Sequence, residues 1–269
     1  MVFELKGKVA LITGGCAGIG FGIAKELLRN EVRAVTLADI NSESGKRALE
    51  ELEREFGTNR AIFVQTDVSD VKQFEDSFQK TIEHFQHVDI LINNAGIVDE
   101  LDWKRVFAVN VNGAIHGINL GLEQYFPKHK QGSEAVILNV SSIVALEAEP
   151  PLSFYCATKH AVLGLTKTFG TPHYYEKTNI RVNAICPGLT MTPMALDKAN
   201  RKIPEETESI LEDVMRKLPS QTTQFLAEEA VKVIKYASNG TIWVIEAGPA
   251  YEYSAPGRET MKHMVIKCD

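Results

Sequence analysis

Tyr155 and Lys159 stand four residues apart in Tyr-Cys-Ala-Thr-Lys, a spacing that puts phenol and ammonium on one face of a helix. A free phenol is protonated at neutral pH, and a neighbouring ammonium favours the phenolate, so the pair has the makings of a general base. Alone, the pattern recurs by chance on surface helices. Ser142 precedes Tyr155 by thirteen residues, near the end of an expected strand, where its hydroxyl is within reach of a substrate oxygen; Ser141 competes for that role. Asn110, in Phe-Ala-Val-Asn-Val-Asn-Gly, falls in an expected helix, where asparagine fits poorly and is expected to interrupt the hydrogen-bond ladder and hold a water.

A second group of residues points to a phosphate-bearing cofactor. Thr13-Gly14-Gly15-Cys16-Ala17-Gly18-Ile19-Gly20 lies between an apolar run and a helical pattern, so its glycines let the backbone approach a pyrophosphate at a helix N-terminus. A plain tight turn is the competing explanation, but the position after the first strand favours dinucleotide binding. Asp39 follows about twenty residues later at the end of the second strand, where a carboxylate accepts from ribose hydroxyls and repels a 2′-phosphate. Capping the next helix is its other possible use, which Asn41 and Ser42 can fill instead. Asp67-Val68 and Asn93-Asn94-Ala95-Gly96 close two further strands, at the ends where open α/β sheets bind ligands.

The elements that must hold these residues alternate. Strands are expected at Lys8 to Thr13, Ala34 to Ala38, Ala61 to Gln65, Ile90 to Asn93, Ala135 to Val140, Arg181 to Ile185 and Thr241 to Ile245. Helices are expected from Ile19, and over Ser42 to Phe56, Val71 to Phe85, Phe154 to Phe169 and Glu228 to Ala237. Continuous apolar strands joined by helices imply a parallel sheet covered on both faces. The expected fold is therefore α/β, a Rossmann-type, doubly wound, mostly parallel seven-stranded sheet forming one domain over residues 1–269. Leu189 to Gln221, long and charged with scattered methionine, isoleucine and leucine, reads as a partly helical lid over a pocket. The tail 249–269 shows no strong periodicity.

Composition narrows the partners. With 269 residues, 44% hydrophobic, the chain can bury a sizeable core, and its net charge of −6 offers no broad basic field for nucleic acid. No run of about eighteen apolar residues suggests a membrane span, and no leader-like segment opens the chain, so a cytoplasmic protein acting on a small molecule is expected. Cys16, Cys156, Cys186 and Cys268 lack metal spacing and are read as reduced and structural; no metal is expected.

Taken together, TGGCAGIG, NNAG, the Asn110 element, Ser142, YCATK and CPGLTMT occur in the order and spacing of the short-chain dehydrogenase/reductase family, which the chain resembles from Gly7 to Gly248. VDILINNAGIVDE, YCATKHAVLG and RVNAICPG are similar to its hydroxyprostaglandin dehydrogenase branch, and RAVTLADI and NGTIWVIEAGPAYEY to its insect alcohol dehydrogenases. The resemblance implies that Tyr155 is the acid/base, that Lys159 lowers its pKa and binds the nicotinamide ribose, that Ser142 orients substrate and that Asn110 holds a relay water. It further implies NAD contacts from Gly14, Cys16, Ala17, Gly18, Ile19, Gly20, Asp39, Ile40, Asp67, Val68, Asn94, Ala95, Gly96, Tyr155, Lys159, Pro187, Gly188, Leu189, Thr190 and Thr192. Substrate would meet Ser142, Val144, Leu152 and Tyr155. A homodimer or homotetramer is also implied. Two other readings are an NADPH-linked carbonyl reductase, for which Arg33 and Lys46 are poorly placed, and a non-catalytic NAD-binding protein, against which the full catalytic set argues.

Two departures stand out. Gly170 and Pro172 are expected to end the Tyr155 helix early. Leu152 is apolar where the hydroxyprostaglandin branch places a polar residue toward substrate, which argues against a prostaglandin. The pocket is expected between Ile97, Val98, Ile143, Val144, Leu152 and the lid, and its apolar lining points to a lipophilic alcohol.

Overall fold

A computed structural model describes residues 2–255. Its first half repeats strand and helix: β1 (Val9–Thr13), α1 (Gly18–Arg29), β2 (Ala34–Asp39), α2 (Ser42–Phe56), β3 (Ala61–Gln65), α3 (Val71–Phe85) and β4 (Ile90–Asn93). A short strand β5 (Val98–Asp99) then leads into a helical ladder formed by α4 (Trp103–Phe107), α5 (Gly113–Asn119) and α6 (Phe126–His129). Two π segments, Ala108–Asn112 and Leu120–Tyr125, join the three. Next come β6 (Ala135–Val140), α7 (Ser153–Phe169), α8 (Pro172–Thr178) and β7 (Ile180–Pro187). The segment expected to form a lid comprises β8 (Leu189–Thr190), α9 (Pro193–Leu196), β9 (Arg201–Lys202), α10 (Glu205–Lys217) and β10 (Ser220–Gln221), and α11 (Thr223–Tyr236), β11 (Ile242–Ile245) and β12 (Tyr251–Tyr253) follow.

Eight strands form one sheet in the order β12-β11-β7-β6-β4-β1-β2-β3. Neighbours run parallel except β11 and β12, which pair antiparallel through Trp243 and Glu252. The sheet thus has one strand more than its sequence suggests. Residues Tyr251–Tyr253 of the tail form this edge strand on the chain's own sheet, while positions 256–269, with Lys262, His263 and Cys268, lie outside the described residues.

Strand alternation explains why both faces are covered, since successive side chains point to opposite sides. Ala10 and Ile12 enter one core with Ile23, Ala24 and Leu27 of α1 and Leu226, Ala230 and Ile234 of α11. Leu11, between them, enters the other with Phe74 and Phe78 of α3, Ile118 of α5, and Leu165 and Phe169 of α7. Chain reversal at the sheet's middle places the turns after β1 and β4 side by side, which is where such sheets bind ligands.

Helix ends follow local chemistry. Asn41 caps α2 by accepting from the Ser44 N–H, so Asp39 is not needed there. α7 stops at Phe169 with Gly170 as its C-cap, and Pro172 opens α8, as the two helix breakers require. α11 begins at Thr223, five residues before the expected start, because the Thr222 hydroxyl accepts from the Phe225 N–H.

Candidate active site

The glycine turn is a backbone cradle. Gly14 and Gly18 adopt φ of +59° and +54°, and a Cβ on Gly20 would lie 2.4 Å from the Gly14 carbonyl oxygen, so side chains are excluded at all three. Helix α1 starts after Ala17 with no side-chain cap and no acidic residue in its first turn, which leaves its amide dipoles available to an anion. Cys16 sits buried just before it. The Asp39 carboxylate is fixed at the turn's flank by the N–H groups of Cys16 (3.1 Å) and Asn41 (3.0 Å), and burial, followed by the Asp39 charge, pushes the Cys16 thiol well up. Beside it, Ile40 is 60% exposed, an apolar surface suited to a flat heterocycle.

Thr13 ties the two turns together, a role not read from the sequence. Its hydroxyl accepts from the N–H groups of Asn94 (3.0 Å) and Ala95 (3.1 Å) and donates to the Ile92 carbonyl, while the Asn94 amide donates to the carbonyls of Thr13 and Gly14. Asp67 turns back on itself, accepting from the Ser69 N–H and hydroxyl. The buried Val68 packs against Gly113, where a Cβ would come within 2.8 Å of it.

The π segment Ala108–Asn112 centres on Asn110, whose side chain clamps Ile97: its oxygen accepts from the Ile97 N–H (2.8 Å), and its nitrogen donates to the Ile97 carbonyl (3.0 Å) and the Thr158 hydroxyl (3.1 Å). The interrupted ladder expected at Asn110 is this π turn. Next to it, Lys159 is buried and donates to the Val140 carbonyl (2.9 Å). Desolvation lowers its pKa from 10.5 to about 8. Lys159, Asn110, Thr13 and Ala95 border a pocket of about 10 Å³, room for one water.

Tyr155 follows one turn earlier on α7, with the Lys159 ammonium 5.4 Å from its ring centre. Burial raises the phenol's pKa, and the Ser142 hydroxyl beside it works in the opposite direction. Ser141 faces elsewhere: its hydroxyl donates to the Lys159 carbonyl. Ser142 is therefore the serine at the tyrosine.

β7 ends at Pro187, and Gly188 follows so tightly that a Cβ there would lie 2.8 Å from Glu246 Cγ. Leu189 and Thr190 then pair with Ser220 and Gln221, bringing the two ends of the lid together. Gln221 locks this base by donating to Ile245 O (2.7 Å) and Thr190 Oγ1 (3.2 Å) and accepting from the Ala247 N–H (2.9 Å). Thr192 caps α9, and its methyl lies 3.2 Å from where a Gly18 Cβ would be, so the lid reaches the glycine turn.

Residues of the expected lid segment share an apolar cluster with Tyr155. Val98, Val144, Leu152, Cys156 and Leu211 are buried there, with Ile143, Met194, Ile203 and Met215 against them. Met191 and Ile210 of the same segment stay outside this cluster and are exposed. A cavity of about 340 Å³ along the lid is lined by Leu189, Met191, Ala195, Leu196 and Met215 together with Arg201, Glu212 and Arg216.

Residues 8–202 match the family model described as short chain dehydrogenase. The chain belongs to the short-chain dehydrogenase family. It is 38% identical over 191 residues to the 15-hydroxyprostaglandin dehydrogenase [NAD(+)] of Rattus norvegicus, covering 71% of each chain. Alcohol dehydrogenase 1 of Ceratitis cosyra is 29% identical over 246 residues, covering 91% of this chain and 94% of that one. A solved short chain dehydrogenase/reductase from Burkholderia phymatum, in complex with NAD, aligns with a TM-score of 0.77 at 26% identity over 90% of both chains. As a short-chain dehydrogenase the chain is an oxidoreductase. Among its described residues no helix is long and apolar enough to cross a membrane.

Proposed function

We propose that this protein oxidises a lipophilic primary or secondary alcohol to its aldehyde or ketone, reversibly, with NAD as hydride acceptor. The observation that carries the reading is the convergence of Ser142, Tyr155 and Lys159 under an apolar lid at the same sheet edge as the glycine turn. The residues fit a dinucleotide. The uncapped start of α1 and the glycine cradle receive the pyrophosphate, and Asp39 receives the adenosine ribose and disfavours a 2′-phosphate. Arg33, the nearest basic candidate for NADP in the sequence, donates instead to the Phe85 carbonyl. Asp67, Val68, Asn94, Ala95, Gly96 and the Pro187 to Thr192 run complete the cofactor edge in this reading.

Bound NAD supplies the hydride acceptor. Tyr155 takes the alcohol proton while the Ser142 hydroxyl holds the substrate oxygen in line. Lys159 favours the phenolate electrostatically, and a water in the small pocket beside it and Asn110 passes the proton onward. Val144 and Leu152 face the carbon skeleton, and the apolar lining selects a lipophilic one.

We read the protein as cytoplasmic and as a homodimer or homotetramer. Three described cysteines are buried and free, in keeping with a reducing compartment. Leu101, Trp103 and Phe154 are exposed near the start of α4 and α7, and a Cβ on Gly164 of α7 would meet nothing within 4 Å, in keeping with a helix face that a second copy covers. Sedimentation velocity tests the assembly: a single monomer boundary at micromolar concentration contradicts it. Cofactor choice is tested by titrating NADH and NADPH against intrinsic fluorescence. Tighter NADH binding that Asp39→Ala abolishes is expected, and equal binding of both would contradict the role given to Asp39.

A further inference from the structure

Helix α7 carries Tyr155 in its first turn but begins without a cap of its own. Leu152 occupies the N-cap position and makes no side-chain hydrogen bond; it is instead buried in the apolar cluster over the tyrosine. The first amides of any helix need acceptors from outside it. Here they come from a residue more than fifty positions earlier. Glu100 accepts from the Phe154 N–H (2.8 Å) through one carboxylate oxygen and from the Tyr155 N–H (2.9 Å) through the other. A carboxylate there also suits the positive end of the helix.

The base of Glu100 is held by the lid. Its own N–H donates to the Lys202 carbonyl (2.6 Å), directly after the β5 and β9 pairing of Val98 with Arg201 and Asp99 with Lys202. Asp99 is buried, and its carboxylate lies 3.3 Å from the Lys202 ammonium and 3.5 Å from the Arg105 guanidinium. One residue therefore contacts the lid through its backbone and the tyrosine's own peptide through its side chain.

We propose that Glu100 is a positioning residue for Tyr155, holding the first turn of α7 from the strand on which the lid docks. This division of labour also frees position 152 for an apolar side chain in the substrate pocket, since a capping Ser, Asp or Asn there would put a polar group over the tyrosine. The proposal rests on the reading of Tyr155 as the acid/base.

The test uses the full chain with Glu100→Ala and Glu100→Gln, NAD, and octan-2-ol as the probe alcohol, alongside amide hydrogen exchange of the peptide covering 153–157. Glu100→Ala should exchange faster in that peptide and lose about 10-fold or more in kcat with the KM for NAD unchanged, because small misplacement of a reacting group is costly in rate. Glu100→Gln keeps one acceptor oxygen and should fall between, within about 3-fold of wild type in kcat. Faster exchange with unchanged kcat would reduce Glu100 to a structural cap and overturn the proposal, as would unchanged exchange. If the alanine variant does not fold, the glutamine variant decides: partial loss of protection with a lower kcat supports the proposal, and wild-type values for both refute it. Wild-type protein that turns over neither octan-2-ol nor octan-2-one counts against the proposed activity, and exchange then reads the hold on the first turn of α7 alone: faster exchange in Glu100→Ala supports that hold and unchanged exchange refutes it.

Discussion

Burial of Lys159 sets a measurable signature at the scale of one residue. Its pKa is lowered to about 8 from 10.5, so between those pH values the unfolded chain holds a proton there that the folded chain lacks. The cost of burying the ammonium is fully present below pH 8 and disappears as pH rises toward 10.5, so this residue's contribution to stability improves with pH across that window, by about 3 kcal/mol in all. Chemical denaturation of wild type and Lys159→Met should show wild type gaining on the variant from pH 8 to 10.5. A constant difference would mean that Lys159 is not desolvated. At the neighbouring phenol, burial raises the pKa, so the rate of alcohol oxidation should rise with pH as the phenol ionises. Lys159→Met should displace that rise to higher pH, and an unmoved profile would remove Lys159 from the control of Tyr155.

At the scale of the element, the π turn at Asn110 makes a different kind of prediction. Asn110→Leu removes both bonds to Ile97 and the bond to Thr158. Each buried group left without a partner costs about 1–3 kcal/mol. Thermal unfolding should move down by several degrees, and a variant as stable as wild type would show that the turn does not depend on this side chain. Asparagine in a helical pattern already signalled an interruption, because its amide competes with the backbone. Gly170 and Pro172 likewise marked the end of α7 through their own backbone chemistry. Glu100 and Thr13 left no such mark, since both act on partners far away in sequence, where neither spacing nor propensity carries information. The sequence favours Ser142 and leaves Ser141 as its local competitor; the path of β6 into α7 turns Ser141 toward Lys159's carbonyl and Ser142 toward the phenol.

The sheet as a whole explains what was and was not legible. Long apolar runs buried on both faces, such as β1 and β6, can only be central strands, so the parallel core and its ligand-binding edge followed from pattern alone. Pairings of two or three residues do not announce themselves, which is why β5 with β9, β8 with β10 and the edge strand β12 emerge only in three dimensions. The lid depends on one of them: Gln221→Ala loses three hydrogen bonds at the lid's base. It should raise the KM for alcohol severalfold while leaving NADH affinity near wild type, as steady-state kinetics and fluorescence titration will show. An equal loss of both would mean that the lid and cofactor edge move as one body.

Tyr155-dependent alcohol oxidation is measured by following NADH absorbance with purified protein, NAD or NADP, and alcohols ranging from ethanol through octan-2-ol and farnesol to a hydroxy fatty acid, with Tyr155→Phe alongside. Turnover with NAD should favour the lipophilic alcohols and fall about 10²–10⁴-fold or more in the variant, which should still bind NADH. Turnover that survives in Tyr155→Phe, or NADH binding with no turnover of any alcohol or matching carbonyl compound, would contradict it.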